Sequence, residues 1–382
     1  MAAAGVVLPM QTVVLDNEAA WLSAAAVLDA ACELGHAPVF AFPHWLQSAW
    51  CWRSPQAMLR VVMVMIGSEC AGFAPLMQTE KKTFGLPIRT LQFIAVPDAQ
   101  VIDVVARQQQ VARVAAALVR QLFERRADWE RLHLRHLSER HGNWCLLSQA
   151  LLAGGMPVAV ESVEMHRYIE LNTPFNAYYA ARSRRLKKSV NLSANRLGQM
   201  GTMQVQWVRH FDSNEHAQEA LAEAIRVSSI SWKQGTGTTL DQPGPRACIE
   251  HLTAGACGKG QFSLWLLRLN GRAIATEYQL IDAGVVHALR SDFDPEFASA
   301  SPGTYLNRHM LEQLFSAGLQ RYYMGGGNNA YKRRWADHAE PVYHLTAYSP
   351  TVRGRLLRWF EQSLVPVLRR LRPLRPPNKA GH

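Results

Sequence analysis

The sequence predicts a mixed α/β (α+β) protein built from two successive modules, and three observations lead to this fold class. In residues 263–335, strand-like runs, turns and one amphipathic segment follow each other as strand, hairpin, strand, strand, loop, helix, strand, loop, helix. Residues 37–165 show a similar alternation of apolar strands with an amphipathic helix. With 382 residues, the chain is also too long for one ordinary hydrophobic core.

The first module is predicted at residues 37–165, after a leader at residues 1–36 that contains an alanine-rich helix. Apolar runs predict its strands at 59–66, 70–77, 91–96 and 131–137. Apolar residues at helical spacing predict one amphipathic helix at 106–124. This half lacks an obvious carrier-binding loop, so we expect it to hold an acceptor or to serve as a scaffold.

The second module, predicted at residues 166–348, begins with a long basic helix. Thr173-Pro174 marks its start, and Leu186, Val190 and Leu197 predict its buried stripe. Residues 177–200 contain several lysines and arginines and no acidic residue. Because like charges three and four residues apart repel each other, an anionic partner would stabilise this face. Arg184 and Lys188 are therefore candidates for substrate binding, and the alternative is a solvated basic face.

The next elements lead to the most informative part of the chain. A strand at 203–210 and a helix at 217–230 precede Ser231-Trp-Lys233, where Lys233 is a candidate for binding an anionic substrate. Strands are predicted at 263–269, 273–281 and 285–291. Asn270-Gly271 predicts a type I′ hairpin between the first two, since both central residues of that turn need positive φ.

A helix that begins soon after these strands is predicted to bind an anion. Ser301 can cap the helix, Pro302 suits its first turn, and Gly303 allows a ligand to approach the backbone. The free backbone N–H groups and the positive end of the helix dipole both favour a phosphate. Ser301, Gly303 and Thr304 are the candidates for this site. The alternative is an ordinary helix start.

The ordered set of segments resembles the CelD-like acyltransferases, a branch of the GNAT (general N-acetyltransferase) superfamily found beside cellulose and exopolysaccharide synthesis systems. The resemblance spans about residues 38–348 and is carried by Phe42-Pro-His-Trp45, Ala74-Pro-Leu76, Ser231-Trp-Lys233, Asn270 to Ala275, Asp294 to Ala298, Ser301-Pro-Gly303, Leu314 to Leu319 and Gly325-Gly-Gly327 with Tyr331-Lys and Trp335. It implies a tandem GNAT-like acyl-CoA N-acyltransferase fold with two mixed-sheet modules, related to the Fem aminoacyl transferases. It also implies direct transfer of an acyl group from a thioester to an amine or hydroxyl.

Such a transfer needs a base, an acid and a carrier site. Glu277 lies in an otherwise apolar strand, where burial would raise its pKa and suit it to act as a base; a solvent-facing position is the alternative. The resemblance implies two further catalytic candidates, Asp294, as a base or a turn cap, and Tyr331, as the acid for the leaving thiolate. Lys332, beside Tyr331, is a cofactor-binding candidate.

The donor is expected to be acyl-CoA or an acyl carrier protein. Ser-Pro-Gly departs from the usual GNAT phosphate segment, which is richer in glycine and begins with Arg or Gln. A charged tRNA therefore stays open as the donor, and the basic helix after Pro174 would suit either a carrier protein or a tRNA. The expected acceptor is a small molecule, glycan, lipid or amino-sugar precursor. No metal site is predicted, because no H-E-x-x-H occurs and His133 and His136 would point to opposite faces of a strand.

Composition limits the other classes of function. The net charge of +11 favours an anionic partner, although a basic but otherwise ordinary enzyme would also carry it. The six cysteines form no C-x-x-C pair and predict buried free thiols in a reducing cytoplasm. No G-x-S-x-G, Walker A or Rossmann fingerprint occurs. No signal peptide or membrane-spanning run is apparent.

Residues 349–382 are predicted to form a basic amphipathic helix, at 353–371, and a disordered tail. Such a helix either docks on the protein's own core, which is the expected case, or contacts a membrane surface, which would make the protein peripheral at the inner membrane face. The sequence as a whole therefore predicts a cytoplasmic acyltransferase. The alternatives are a Fem-like transferase that uses charged tRNA and a non-catalytic GNAT-like module that binds nucleic acid or membrane.

Overall fold

The computed structural model describes residues 10–83, 85–209 and 214–364, and within them it contains fifteen strands and twelve α-helices. The strands are β1 Met10–Leu15, β2 Met58–Leu59, β3 Val61–Ile66, β4 Glu69–Ala74, β5 Leu76–Thr83, β6 Leu86–Phe93, β7 Val105–Ala106, β8 Arg131–Ser138, β9 Val158–Glu170, β10 Met203–Arg209, β11 Phe262–Leu269, β12 Arg272–Asp282, β13 Val285–Phe293, β14 Arg321–Tyr323 and β15 His338–Tyr348. The helices are α1 Glu18–Ser23, α2 Ala25–Leu34, α3 Pro43–Cys51, α4 Val111–Glu124, α5 Asn143–Ala153, α6 Phe175–Ala180, α7 Arg184–Met200, α8 Asn214–Ser229, α9 Pro243–Gly258, α10 Pro302–Ser316, α11 Ala330–Trp335 and α12 Val352–Trp359.

Within the described residues, the strands form a mixed sheet and a smaller antiparallel sheet. The larger has eleven strands in the order β10-β11-β12-β13-β14-β9-β15-β8-β6-β5-β2, and the smaller has four in the order β1-β3-β4-β7. Strand β15 pairs with both β8 and β9, so the large sheet runs without interruption from one half of the chain to the other. The predicted mixed α/β fold class is confirmed.

Each half of the chain contains one pair of parallel strands that separate after a short contact. In the second half, β13 and β14 pair only over residues 285–287 and 321–323. In the first half, β6 and β8 pair only over residues 90–91 and 131–132. In each half a long helix, α10 or α4, lies between the two strands of the pair in the chain, so the repeated pattern seen in the sequence corresponds to a repeated fork in the sheet.

The second half follows the sequence prediction closely. Asn270 and Gly271 have φ values of 51° and 82°, as a type I′ turn requires. Helix α10 begins at Pro302 and buries Leu306, Met310, Leu311, Leu314 and Phe315. Gly318 follows it with a φ of 72°, a conformation that glycine adopts without strain.

Two strands predicted as continuous in the first half are broken, and these predictions were wrong. The run at 59–66 divides at Arg60 into β2, in the large sheet, and β3, in the small sheet. The run at 70–77 divides at Pro75 into β4 and β5, again in different sheets. Proline has no N–H to give to a ladder, so it suits the point where the chain changes sheet. A run of apolar residues does not reveal such a change, because both segments are buried.

Other boundaries differ for local reasons. The long helix predicted from Pro174 is two helices, α6 and α7, because Ser183 adopts an extended conformation and its side chain accepts from Leu186 N at 3.2 Å. A serine in this arrangement starts a new helix. The predicted stripe of Leu186, Val190 and Leu197 is buried along α7. The helix predicted from residue 106 begins at Val111, after a short 3₁₀ turn.

The chain ends contribute to the same architecture. Strand β1, inside the predicted leader, pairs with β3, and Trp21 and Leu28 are buried in the larger hydrophobic core, which includes residues of both halves. Helix α12 and a π-helical turn at Phe360–Leu364 follow β15, and the rest of the predicted tail helix lies outside the described residues. All six cysteines are free, but only Cys32, Cys70 and Cys248 are buried, and Cys51 is exposed. No helix in the described part of the chain is long and apolar enough to cross a bilayer.

Candidate active site

The candidate site opens where β13 and β14 separate. Beyond residue 287, β13 continues to Phe293 and pairs only with β12. Gln100, from the first half, occupies part of this gap: its Nε2 donates to the carbonyl of Ala288 at 2.7 Å. Gly325 approaches the same carbonyl so closely that a Cβ at position 325 would lie 2.8 Å from the oxygen. The contacts of Gln100 and Gly325 with the Ala288 carbonyl therefore keep β13 and β14 apart and leave a space beside the two strands.

The start of α10 faces this space. Ser301 precedes the helix with a φ of 54°, and its side chain makes no capping hydrogen bond, so the predicted side-chain cap is absent. Ser193 of α7 instead holds the turn, since its Oγ donates to the carbonyls of Ala300 and Ser301 at 2.6 and 3.0 Å. A Cβ added at Gly303 would meet nothing within 4 Å. The first turn of α10 thus presents backbone to open space, as an anion site requires.

A cavity of about 760 Å³ connects the fork to the start of α10. It is lined by seven of the residues that sequence analysis selected, namely Lys233, Glu277, Ser301, Gly303, Thr304, Tyr331 and Lys332. These residues come from α10, α11, β12 and the loop after α8, which are far apart in sequence. The fold brings them to one enclosure large enough for a substrate.

Glu277 lies in the wall of this cavity and is only 6% exposed. Its carboxylate accepts hydrogen bonds from Tyr322 Oη at 2.6 Å, Gln279 Nε2 at 2.8 Å and Ser291 Oγ at 2.9 Å. Burial raises the pKa of Glu277, and these three donors and the nearby Lys332 act in the opposite direction. A carboxylate fixed in this way and raised in pKa is suited to accept a proton.

Tyr331 and Lys332 lie side by side at the start of α11 and both line the cavity. Although 37% of Tyr331 is exposed, desolvation by the cavity walls and the neighbouring Glu277 raise the pKa of its phenol, which keeps it protonated. Burial lowers the pKa of Lys332 to about 8, partly offset by Glu277 and Glu164. Its Nζ donates to the carbonyl of Gly326. The pair therefore places a proton donor and a cation near Glu277.

Lys233 lines the cavity with its charge already paired. Its Nζ lies 2.9 Å from Oδ1 of the buried Asp292 and donates to the carbonyl of Ser291 at 3.1 Å. The neighbouring Trp232 also lines the cavity and is 63% exposed. Because Asp292 neutralises Lys233, this lysine offers less attraction to an anionic substrate than an unpaired lysine would.

Among the lining residues outside the predicted set are Glu164 of β9 and His136 of β8. Glu164 accepts from Gly327 N at 2.9 Å and lies 3.3 Å from His166 Nε2. The interaction with His166 and other contacts lower the pKa of Glu164 to about 2, so it is ionised at neutral pH. Burial lowers the pKa of His136 to about 3, so this ring is neutral.

No local pattern in the sequence marks these two residues. His136 has a φ of 65° and lies where the pairing of β8 with β15 changes register, which turns its ring out of the strand alternation. Glu164 reaches the site only because β9 pairs with both β14 and β15. A bulge and a long-range strand pairing are tertiary features that periodicity does not encode.

Asn307, on the second turn of α10, lies in the same cavity wall and is 2% exposed. Neither its Oδ1 nor its Nδ2 makes a hydrogen bond to any described group of the protein. A buried amide without partners costs free energy unless a water or a ligand satisfies it. Asn307 is therefore a further candidate for contact with a ligand.

Three predicted site residues lie outside the cavity lining. Asp294 is buried, accepts from Glu296 N at 3.1 Å and pairs with Arg272 at 2.5 Å, so it caps the 3₁₀ turn before α10. This is the turn-capping alternative of the sequence analysis. Arg184 and Lys188 are exposed on α7. The structure separates these two cations from the group formed around Glu277.

A second cavity, of about 500 Å³, accompanies the fork of the first half. Its lining includes Asp103, Ser138, Arg140 and Asn143, from the segments that follow the separating strands β6 and β8. Burial raises the pKa of Asp103 to about 8. Among the described residues, no group of three or more His, Cys, Asp or Glu side chains is placed to hold a metal ion.

Comparison with known families identifies the second half of the chain. Residues 184–333 match the family model described as an acetyltransferase (GNAT) domain. This segment contains α7, α10, the fork of β13 and β14, and the candidate residues around Glu277. No curated protein sequence matches the chain significantly.

Solved structures resemble the chain over nearly its whole length. One is the C-terminal domain (DUF2156) of a protein described as a lysylphosphatidylglycerol synthetase from Agrobacterium fabrum; it is 13% identical, with a TM-score of 0.55, covering 90% of this chain and 97% of that one. Another is FemX, which is 12% identical, with a TM-score of 0.55, covering 92% of this chain and all of that one. Identities this low indicate a shared fold and nothing finer.

The family match and the repeated fork agree with the predicted tandem GNAT-like fold class, which is confirmed. The match covers the module that contains α10, and the first half repeats the separating pair of parallel strands. Residues 184–333 therefore match a GNAT-type acetyltransferase domain, and the chain as a whole has a two-sheet α/β fold similar to that of FemX.

Proposed function

We propose that this protein is an acyltransferase that moves an acyl group from a thioester donor to an amine or hydroxyl acceptor. The observation that carries the proposal is the single cavity shared by Glu277, Tyr331 and the first turn of α10. A base, an acid and an anion-binding helix start are the parts that direct acyl transfer requires. The GNAT domain match over the same residues supports this assignment.

The proposed transfer forms one bond, breaks another and moves two protons. The nucleophilic nitrogen or oxygen of the acceptor bonds to the thioester carbonyl carbon, and Glu277 accepts the proton that this atom loses. The carbon–sulfur bond then breaks, and the leaving thiolate takes the proton of the Tyr331 phenol. The raised pKa of Glu277 brings it nearer to neutral pH, and the Tyr331 phenol is protonated at neutral pH, so its proton is present when the thiolate forms.

The donor is assigned to the side of the cavity formed by α10. The open space at Gly303 and the positive end of the α10 dipole suit a phosphate, and Lys332 adds a positive charge. The unpartnered amide of Asn307, one helical turn further along, suits a ligand that itself contains an amide. These features fit the phosphopantetheine arm that coenzyme A and acyl carrier proteins share.

The acceptor is assigned to the part of the cavity that His136 and Glu164 line. An ionised Glu164 favours an acceptor that arrives with a positive charge, such as the ammonium group of an amino sugar, which loses one proton to water before its nitrogen attacks. The resemblance to the CelD-like proteins supports an acceptor among glycan, lipid or amino-sugar precursors, and an enzyme that works in the cytoplasm on exopolysaccharide synthesis.

Calorimetric titration with coenzyme A and several acyl-coenzyme A thioesters tests the donor assignment. The purified protein is compared with Gly303→Glu, which places a carboxylate in the space assigned to phosphate. Gly258→Glu is the matched control, because a Cβ at Gly258 also meets nothing within 4 Å and this glycine lies at the end of α9, outside the cavity. We expect saturable binding to the wild type and to Gly258→Glu, and loss of binding in Gly303→Glu.

Two results would contradict the donor assignment. Equal binding by Gly303→Glu would mean that the first turn of α10 does not contact the donor. Absence of binding across the whole panel would exclude coenzyme A, and the same titration would then be repeated with phosphopantetheinylated acyl carrier protein.

A Fem-like transfer from charged tRNA is the second candidate, and the exposed cations of α7 favour it. Arg184, Arg185 and Lys188 are exposed on this helix, and Arg196 of the same helix donates to the carbonyl of Ser299, just before the start of α10. If tRNA is the donor, its affinity should fall steeply with salt concentration, and Arg184→Gln with Lys188→Gln should reduce that slope. Unchanged affinity between low and high salt would exclude this candidate.

The non-catalytic alternative is tested by substituting Glu277, Asp294 and Tyr331 together. A module that only binds a partner should keep its function in the triple variant, provided that the variant remains folded. Loss of acyl transfer with retained donor binding would show that the protein is an enzyme and that these residues act in catalysis.

A further inference from the structure

Helix α12 turns an apolar stripe away from the body of the protein. Val352, Leu356 and Trp359 are 74%, 61% and 59% exposed. At about 100° per residue their spacing places them within roughly 60° of arc on one side of the helix. Gly354 and Leu357, on the opposite side, are buried, and Leu357 packs with Ile88 and Tyr348. The helix is thus fixed by one side and leaves the other uncovered by any described residue.

The β5–β6 hairpin extends this surface. Arg353 donates to the carbonyl of Pro87 at 2.9 Å, which ties α12 to the hairpin. Leu86, two residues before the buried Ile88 on the same strand, is 63% exposed and lies on the same face of the hairpin. Lys81 pairs directly with Ile88 and is also exposed. Lys81, Leu86, Val352, Arg355, Leu356, Arg358 and Trp359 together form what we name the docking face.

The charged residues of α12 itself are all basic, and the nearest acids, Glu130 and Glu361, are each paired with an arginine. Helix α12 contains Arg353, Arg355 and Arg358, which are exposed, and no acidic residue. Arg353 and Arg355 flank the apolar stripe on its two sides at helical spacing. The sequence after Leu364 adds five lysines and arginines and no acid, and the chain as a whole carries a net charge of +11.

We propose that the docking face binds the surface of a membrane rich in anionic phospholipids. Trp and Leu side chains on a helix that lies flat would enter the boundary between headgroups and acyl chains, and the flanking arginines would contact lipid phosphates. Isolated exposed apolar residues are common, but a cluster of four from two elements, bordered by cations, marks an interaction surface. The charge complementarity selects anionic lipid over a neutral surface.

The test is co-sedimentation of the full chain with two kinds of vesicle, pure phosphatidylcholine and equal parts of phosphatidylcholine and phosphatidylglycerol. We expect binding to the anionic vesicles only, and a decrease as salt rises. Leu356→Ser with Trp359→Ser should weaken binding about tenfold or more. Arg355→Gln with Arg358→Gln should weaken it about fivefold for each arginine removed. The control is Leu152→Ser on α5, which removes a leucine that is 55% exposed.

Each other outcome would overturn the proposal. Absence of wild-type binding, or equal binding to both vesicles, would exclude recognition of anionic lipid. Unchanged binding by the double serine variant would mean that lipid contact lies elsewhere, for example after Leu364. A doubled mass in light scattering that the same variant halves would assign the face to self-association. All variants change exposed residues, so unchanged melting temperatures are expected and separate these results from unfolding.

Discussion

Glu277→Gln provides the sharpest test of the proposed chemistry, because the structure indicates that this substitution leaves the fold intact. The glutamine carbonyl can take the place of Oε1 and keep the hydrogen bonds from Tyr322 and Gln279. The amide nitrogen then faces Ser291 Oγ, which is a hydroxyl and can accept in place of donating. We therefore expect a change in unfolding free energy of about 1 kcal/mol or less, whereas alanine would leave three donors without a partner.

The effect on catalysis should be much larger than the effect on stability. Loss of a general base typically lowers the rate by about 10²- to 10⁴-fold, which corresponds to about 3–5 kcal/mol of transition-state stabilisation. The loss should appear in kcat, and the KM for the donor should change little, since Glu277 is assigned to the acceptor proton. Steady-state kinetics with an acyl-coenzyme A donor measure both quantities. Glu250→Gln, which removes an exposed carboxylate of α9, is the control.

The pH dependence offers an independent check. The wild-type rate should fall as pH decreases through the raised pKa of Glu277, and the residual rate of the variant should lack this fall. Because the folded pKa is raised, Glu277 contributes stability that is fully present below its unfolded pKa, about 4.3, and is lost as pH rises through the folded value. Thermal unfolding of the variant should lack this loss. A kcat within threefold of the wild type, with an unchanged pH profile, would refute the assignment of Glu277.

Three further predictions concern the other cavity residues. Tyr331→Phe should lower kcat about 10- to 100-fold with a coenzyme A thioester and much less with an aryl thioester, whose thiolate leaves without a proton; equal losses with both donors would contradict the role of Tyr331 as acid. Because the pKa of Lys332 is about 8, donor affinity measured by calorimetry should decline as pH rises through this value, and Lys332→Arg should remove the decline, since arginine keeps its charge; an identical decline in both would show that another group titrates. Asn307→Leu should raise the unfolding free energy by about 1 kcal/mol while weakening donor binding, because the amide has no described protein partner; a loss of stability with unchanged binding would show that the amide is already satisfied in the free protein.

The elements of the second half could be predicted because their signals are local. Asn270-Gly271 encodes the hairpin through backbone conformation, and the residues buried along α10 follow helical periodicity. The break at Ser183 was missed although its signal is also local, because a capping serine inside a run of helix-forming residues is easily read as part of the helix. The breaks at Arg60 and Pro75 were missed for a different reason, since they mark changes of sheet within continuous apolar runs.

The residues of the candidate site likewise fall into those that the sequence indicated and those that only tertiary contacts bring to the cavity. Glu277 and the first turn of α10 could be selected because an acid in an apolar strand and a Ser-Pro-Gly helix start are unusual within their own segments. Tyr331 was selected only because the family resemblance implies it. Glu164 and His136 could not be selected, because one reaches the cavity through the pairing of β9 and the other through a bulge in β8. The pairing of Asp292 with Lys233 could not be predicted from the sequence either, because the two residues are 59 positions apart.

The sequence by itself therefore determined the types of element, the sharp turns and the anion-suited helix start. These depend on φ preferences, on periodicity and on residues that are neighbours in the chain. Only the tertiary structure decided which side chains share the cavity and which cations stay outside it, as Arg184 and Lys188 do. The reason is physical: the forks form where β14 and β8 meet strands from distant segments, and the free energy that selects those pairings comes from packing across the whole core.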